Sequence, residues 1–366
     1  MSDLTMLSTL LLSGGKAHQH LPAESGPANL HELTLQLAAF SRDDFARLVR
    51  FASDHHVIVR VLETLCSLMA EENNHGRMKE IVTAIENERA RITHALAILE
   101  NICQKCETAG LRIVVIKSLD HWPDLGSDLD LYTDANPTEI RYIMMYGFNA
   151  KPAARSWGDR LAGKWNFSVP GLPELVEFHI GRLGQTGEQI GIARDLVDRA
   201  VFTRVGGHSF RIPAPEDRLM ISTLQRMYRH FYFRLCDIVD TARLLADPGF
   251  DFATLRTLAE KAGIWQGTAT YLSIVSDYLA SYGGQGLALP SDVMAAARFG
   301  GEEVSFRKGF LRVPIIPHSI RLFVAELTSV TASRNLRGAA RLSLLPWLAA
   351  AAAVAQKVSG SDKGIW

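Results

Sequence analysis

The sequence predicts an α+β protein, with a mixed sheet over residues 109–215 and helical regions before and after it. Two changes of hydrophobic period carry that expectation. Up to about residue 107 apolar side chains recur every three or four positions, at Leu111 the spacing falls to two, and at Glu216 the helical spacing returns. Between those points lie short β-branched or alternating segments bounded by Gly and Pro, which is how strands and turns read.

In chain order, residues 1–28 are expected to be flexible and 29–108 helical. The clearest helix is Arg77 to Cys106, where Met78, Ile81, Val82, Ile85, Ile92, Leu96, Leu99 and Ile102 form one stripe, Glu80, Glu86 and Arg89 lie off it, and Gly110 follows as a cap. Strands are expected at Arg112–Ile116, Ser127–Thr133, Lys164–Val169, Glu174–Ile180 and Ser209–Ile212. The third and fourth form a hairpin around Pro170, Gly171 and Pro173, and a short helix, Thr138–Tyr146, starts after Pro137. Residues 216–305 read as a helical domain broken at Asp247-Pro-Gly249. Residues 306–366 read as a helical region that is first basic, with Arg307, Lys308, Arg312, Arg321, Arg334, Arg337 and Arg341 against Glu326, and then apolar.

Composition narrows the function. The 366 residues carry 39 Lys plus Arg and 39 Asp plus Glu, a balance that argues against bulk DNA or tRNA held by its phosphates. A hydrophobic fraction of 47% supplies a core, and the length exceeds the roughly 250–300 residues of a single one. Cys66, Cys103, Cys106 and Cys236 are too scattered for a disulfide framework and read as buried apolar residues; the C-x-x-C at 103–106 falls inside a helix, where a redox motif would open one. Met1–Leu12 lacks a basic leader segment, and Leu342–Ala355 is interrupted by Pro346 and shorter than the roughly 20 residues of a membrane span. The cytoplasm is the expected compartment, and the basic stretch is read as a solvated face in preference to a membrane-surface contact.

One pattern carries chemistry. Asp128 and Asp130 are two positions apart on a strand, so their carboxylates share a face while Leu129 and Leu131 anchor the other. Like charges so close call for a cation between them, and Mg²⁺ suits a few carboxylates plus substrate phosphates. Ser118 ends the preceding strand and Glu177 offers a third acid on a later one. His179 shares the face of Glu177. Arg155, Arg160 and Lys164 precede the hairpin and read as solvated surface charge in preference to phosphate contacts, and Arg234, Asp237 and Asp240 follow one another at three-residue steps, with Asp237 in reach of Arg234.

Taken together, Val114-Val-Ile-Lys-Ser118, Ser127-Asp-Leu-Asp-Leu131, Val176-Glu-Phe-His179, and Pro215-Glu-Asp-Arg-Leu219 followed by Phe233-Arg-Leu-Cys-Asp-Ile-Val-Asp240 resemble nucleotidyltransferases of the DNA polymerase β type. The closer resemblance is to the bacterial family called uncharacterised nucleotidyltransferases, over residues 105 to 265. Two departures stand out: Ser118 replaces the usual Gly, and the Arg usually found before the acid pair is absent from 122–127. The resemblance implies a polymerase β-like core, one or two Mg²⁺ ions held by Asp128, Asp130 and Glu177, these three as the catalytic residues, and nucleotide contacts from Lys117, Ser118, Ser127 and His179. It implies transfer of an NMP group from an NTP to a hydroxyl, and the zero net charge favours a small molecule or protein as acceptor. The alternative is a weakened member that keeps the fold and binds a nucleotide or partner.

Overall fold

The structure, a computed structural model, describes residues 2–13, 30–71, 77–348 and 350–351. Five helices come first: α1 (Asp3–Ser13), α2 (Leu30–Ala38), α3 (Arg42–Asp54), α4 (Ile58–Glu71) and α5 (Met78–Thr108). Ser41 and Asp44 cap the start of α3 reciprocally, each side chain taking the other's backbone N–H. Helix α1 corrects the expectation of a flexible start. Its Leu7 and Leu10 are fully buried, and Ser8 bonds Tyr278 at 2.6 Å. A sequence of leucines with one acid is a helix only when a core covers it, and that cover lies far along the chain. Residues 14–28 of the same expectation lie outside the described residues.

The middle of the chain runs β1 (Ile113–Val115), β2 (Asp128–Thr133), α6 (Pro137–Tyr142), β3 (Lys151–Pro152), α7 (Trp157–Ala162), β4 (Lys164–Ser168), β5 (Leu175–Ile180), α8 (Ile190–Arg199), β6 (Val201–Val205) and β7 (His208–Ile212). Five strands form a mixed sheet in the order β1-β2-β5-β4-β3. Its one parallel pair is β2 with β5. The strand expected at 209–212 forms as β7 but stays out of this sheet. It pairs with β6 across Gly206-Gly207, both at positive φ, a two-residue turn that closes a hairpin locally. The fifth place belongs to β3.

The remainder holds α9 (Pro215–Thr223), extended by a wide turn over Leu224–His230, then β8 (Tyr232–Phe233), α10 (Leu235–Leu245), α11 (Phe252–Ala262), α12 (Trp265–Gly283), α13 (Ser291–Ala296), β9 (Ser305–Arg307), β10 (Phe310–Arg312), α14 (Ile320–Ala332) and α15 (Leu336–Leu342). The helical expectation from residue 306 fails at its start. Lys308 and Gly309, both at positive φ, turn β9 into β10, and these join β8 in a three-stranded sheet. Residues 352–366, which include the end of the apolar stretch, lie outside the described residues. Among the described ones no helix is long and apolar enough to cross a membrane.

Alternation along the strands sends the sheet's two faces into two cores. Ile113, Val115, Leu129, Leu131, Val176 and Phe178 pack with Ile92, Leu96, Leu99 and Ile102 of α5. Val114, Ile116 and Tyr132 face the larger core, in which Leu7, Leu33 and Leu62 join Met227, Tyr271 and Leu279. The regions expected as 29–108 and 216–305 therefore share one apolar interior. On that second face the apolar cover stops short of Asp128, Asp130 and Glu177.

Candidate active site

Strand register assembles the site. In the parallel pair Asp130 lies opposite Glu177 and Tyr132 opposite His179; on the other side of β5, Lys164 lies opposite His179. Because side chains alternate, Asp128, Asp130, Glu177, His179 and Lys164 all project from one face. Lys117 reaches the same place from the end of β1, held there by a positive φ of 63°.

The contacts are close. The Lys117 ammonium lies 2.5 Å from Asp130 Oδ1 and 4.0 Å from Glu177 Oε1. Lys164 Nζ donates to Glu177 Oε1 at 2.5 Å, and His179 Nε2 is 2.7 Å from the same oxygen and 3.4 Å from Asp130 Oδ1. Glu177 Oε2 takes part in none of these. Asp130, Glu177 and His179 offer ligand atoms within 4.8 Å of one another. Asp128 sits one two-residue step along β2, exposed, with a 3.3 Å hydrogen bond from Ser127 Oγ.

Proton affinities follow from this packing. Burial, then the charges of Asp130 and Glu177, raise the Asp128 pKa. Burial also opposes ionisation of Glu177, but Lys164 and His179 outweigh it and hold that carboxyl well below its usual range. Burial, reinforced by Arg229, pushes Lys164 down to about 8. Burial and Lys164 lower His179, so the imidazole is neutral at pH 7 and donates through Nε2. Its Nδ1 is buried without a hydrogen-bond partner and can accept one from a ligand.

The donor set fits one hard cation. Asp128 and Asp130 present carboxylate oxygens whose mutual repulsion a divalent ion relieves, and such oxygens suit Mg²⁺. Lys117 already stands where a cation between Asp130 and Glu177 would stand. Glu177 is bound on Oε1 by two nitrogen donors, which leaves it poorly placed to hold a second ion.

Not every expected residue faces the cleft. The Ser118 hydroxyl is buried, accepts from the Asp130 N–H at 2.7 Å and donates to the Asp128 carbonyl at 3.2 Å, so it ties β1 to β2 and has no reach to a phosphate. Arg155 stacks on Trp165 at 4.2 Å and Arg160 over Trp157. Asp237 pairs with Arg226 at 2.8 Å and takes only the backbone N–H of Arg234, while Asp240 binds Arg60 and His121. The sequence reading preferred solvated surface charge over a phosphate contact for Lys164 and did not notice Gln185, Gln225 or Arg229, which line a narrow cavity beside Lys117 and His179. The Lys164 role was signalled by its place in the hairpin: a lysine opposite His179 shares the face of Glu177.

No family model matches the chain, and no curated protein does. Among solved structures, an antigenic nucleotidyltransferase-like protein from Paracoccidioides brasiliensis is similar over 55% of this chain and 96% of its own, at 16% identity and a TM-score of 0.35. The functional reading rests on the site's own geometry.

Proposed function

We propose that this chain transfers an NMP group from an NTP to a hydroxyl of a small molecule or protein, using the acidic face of β2 and β5. The register that sets Asp130 beside Glu177, with Asp128 on the same face and Lys117 over it, carries this reading. Asp128 and Asp130 hold Mg²⁺, which when bound offsets charge on the triphosphate and the leaving pyrophosphate. Lys117 leaves Asp130 for a phosphate oxygen, so the positive charge that neutralises the resting site becomes a substrate contact. Arg229 and Gln225 flank the same cavity. Glu177, kept ionised by Lys164 and His179, accepts a hydrogen bond from the acceptor hydroxyl and orients it; its low proton affinity makes it a weak base.

The Lys117–Asp130 pair also supports a second reading, a binding protein in which lysine has taken over the cation's place. Pyrophosphate release with a panel of NTPs, Mg²⁺ and cell extract as acceptor source separates the two. The enzyme releases pyrophosphate only with Mg²⁺, and Asp130→Asn lowers the rate by about 10³-fold, since metal charge stabilisation is worth several kcal/mol. Nucleotide binding without Mg²⁺ and without pyrophosphate would establish the binding protein. Melting temperatures unmoved by Mg²⁺ and NTP, with no turnover, would sink both.

A further inference from the structure

We propose that His56, His121 and Cys236 form a second metal site, selective for Zn²⁺, that joins the N-terminal helices to α10 and to the connection between β1 and β2. Their ligand atoms lie within 4.8 Å of one another, and they come from three separate parts of the chain. His56 stands between α3 and α4 at a φ of 54°. His121 ends the short helical turn Ser118–His121, and Cys236 lies in the first turn of α10.

Three observations point to a ligand. His121 Nδ1 donates to Asp240 Oδ2 at 2.6 Å, which leaves Nε2 for the side of Cys236, with which the ring also hydrogen-bonds; a carboxylate behind a histidine is the usual support of a zinc ligand. The Nδ1 atom of His56 is buried with no hydrogen-bond partner, a lone pair that a metal would satisfy. Gly126 lies flush against both rings: a Cβ there would stand 3.3 Å from His56 and 3.8 Å from His121, so the β1–β2 connection approaches as closely as a glycine allows.

The chemistry separates this site from the first. Two imidazoles and a thiol are borderline-soft donors of the kind Zn²⁺ selects, whereas the face of β2 offers hard oxygens. Zn–S of about 2.3 Å and Zn–N of about 2.0–2.1 Å place tetrahedral ligands roughly 3.3–3.6 Å apart, so side-chain shifts of about 1 Å close the set. Coordination forms the Sγ–Zn and Nε2–Zn bonds as the thiol proton of Cys236 and the Nε2 proton of His121 leave to solvent. The fourth position goes to water from the cleft that His56 lines with Ser53, Asp124 and Ser127.

The test uses the full chain after chelator treatment, titrated with Co²⁺ as a spectroscopic stand-in and with Zn²⁺ in competition. One Co²⁺ per chain should bring a thiolate-to-cobalt charge-transfer band, displaced by Zn²⁺. Cys236→Ala should abolish the band and Asp240→Asn should weaken affinity by about 10–100-fold, while Asp128→Asn leaves both unchanged. Because Cys236 is fully buried, His56→Ala at the cleft, checked for native circular dichroism, provides the independent variant and should lower affinity by at least about tenfold. No charge-transfer band in the wild type, a band that persists in Cys236→Ala, or a Co²⁺ affinity unchanged in His56→Ala overturns the proposal; persistence in Cys236→Ala would place the thiolate elsewhere, as at Cys103 or Cys106.

Discussion

Two clusters of opposite charges flank the connection between β1 and β2, and they differ in how completely they are paired. Behind it, Arg60 binds Asp124 at 2.8 Å and Asp240 at 2.7 Å. Val59 N–H donates to the other Asp124 oxygen at 2.6 Å, and His121 to the other Asp240 oxygen. None of these three charged side chains is more than 10% exposed. In front, Asp128 has one weak partner and Asp130 is neutralised by a lysine on a flexible stem. A buried carboxylate with a donor on each oxygen and a cation beside it has its charge met; one that lacks a partner costs stability and invites a cation. The first cluster holds the helices to the sheet, and the second is where chemistry is to be sought.

The comparison breaks most readily at Arg60. Arg60→Ala leaves Asp124 and Asp240 buried without their cation and should cost about 3–5 kcal/mol in urea unfolding; a loss under about 1 kcal/mol would put the first cluster in the class of exposed pairs. Lys117→Ala should act on binding instead. Without the lysine Asp130 binds Mg²⁺ more tightly in the absence of nucleotide, while NTP affinity falls by about tenfold or more, the range of a hydrogen bond to a charged group. Calorimetry that shows both affinities falling together would mean that Lys117 never leaves Asp130.

A pH series separates one carboxylate of each cluster, because Asp240 and Asp128 slope oppositely. Burial raises Asp240, but Arg60 and His121 outweigh it and hold its pKa below the ordinary 3.8. The unfolded state then binds more protons, so this contribution is present above pH 3.8 and is lost as pH falls through the folded value. Asp128 is raised above 3.8; the folded state binds more protons, and stability is lost as pH climbs through the raised value. In Tm measured against pH, Asp240→Asn should lose most at neutral pH and converge on wild type in acid. Asp128→Asn should match wild type in acid and gain slightly at neutral pH without Mg²⁺. That gain, the smallest effect expected, stays within about 1 kcal/mol because the group is exposed to solvent.

Much of this was legible in the sequence, for reasons that are local. That Asp128 and Asp130 share a face follows from the two-residue repeat of any strand, and the hairpin of β4 with β5 from the turn residues between them. The side of Ser118 was not legible: its hydroxyl reads as a phosphate ligand until β2 is seen to supply a backbone N–H to it. Nor was the fate of Asp240, whose partners Arg60 and His121 are 180 and 119 positions away.

The alternation of residues 111–180 and the helical spacing of 77–106 were enough to place β1, β2, β4, β5 and α5 and to put Asp128 and Asp130 on one strand face, since these depend on backbone periodicity. Tertiary structure decided that α1 is buried, that Asp240 pairs with Arg60 and His121, and that His56, His121 and Cys236 meet. Each of these pairs groups far apart in the chain. Their free energy comes from burial and charge pairing that exist only once the two sheet faces have found their cores, so no local pattern records them.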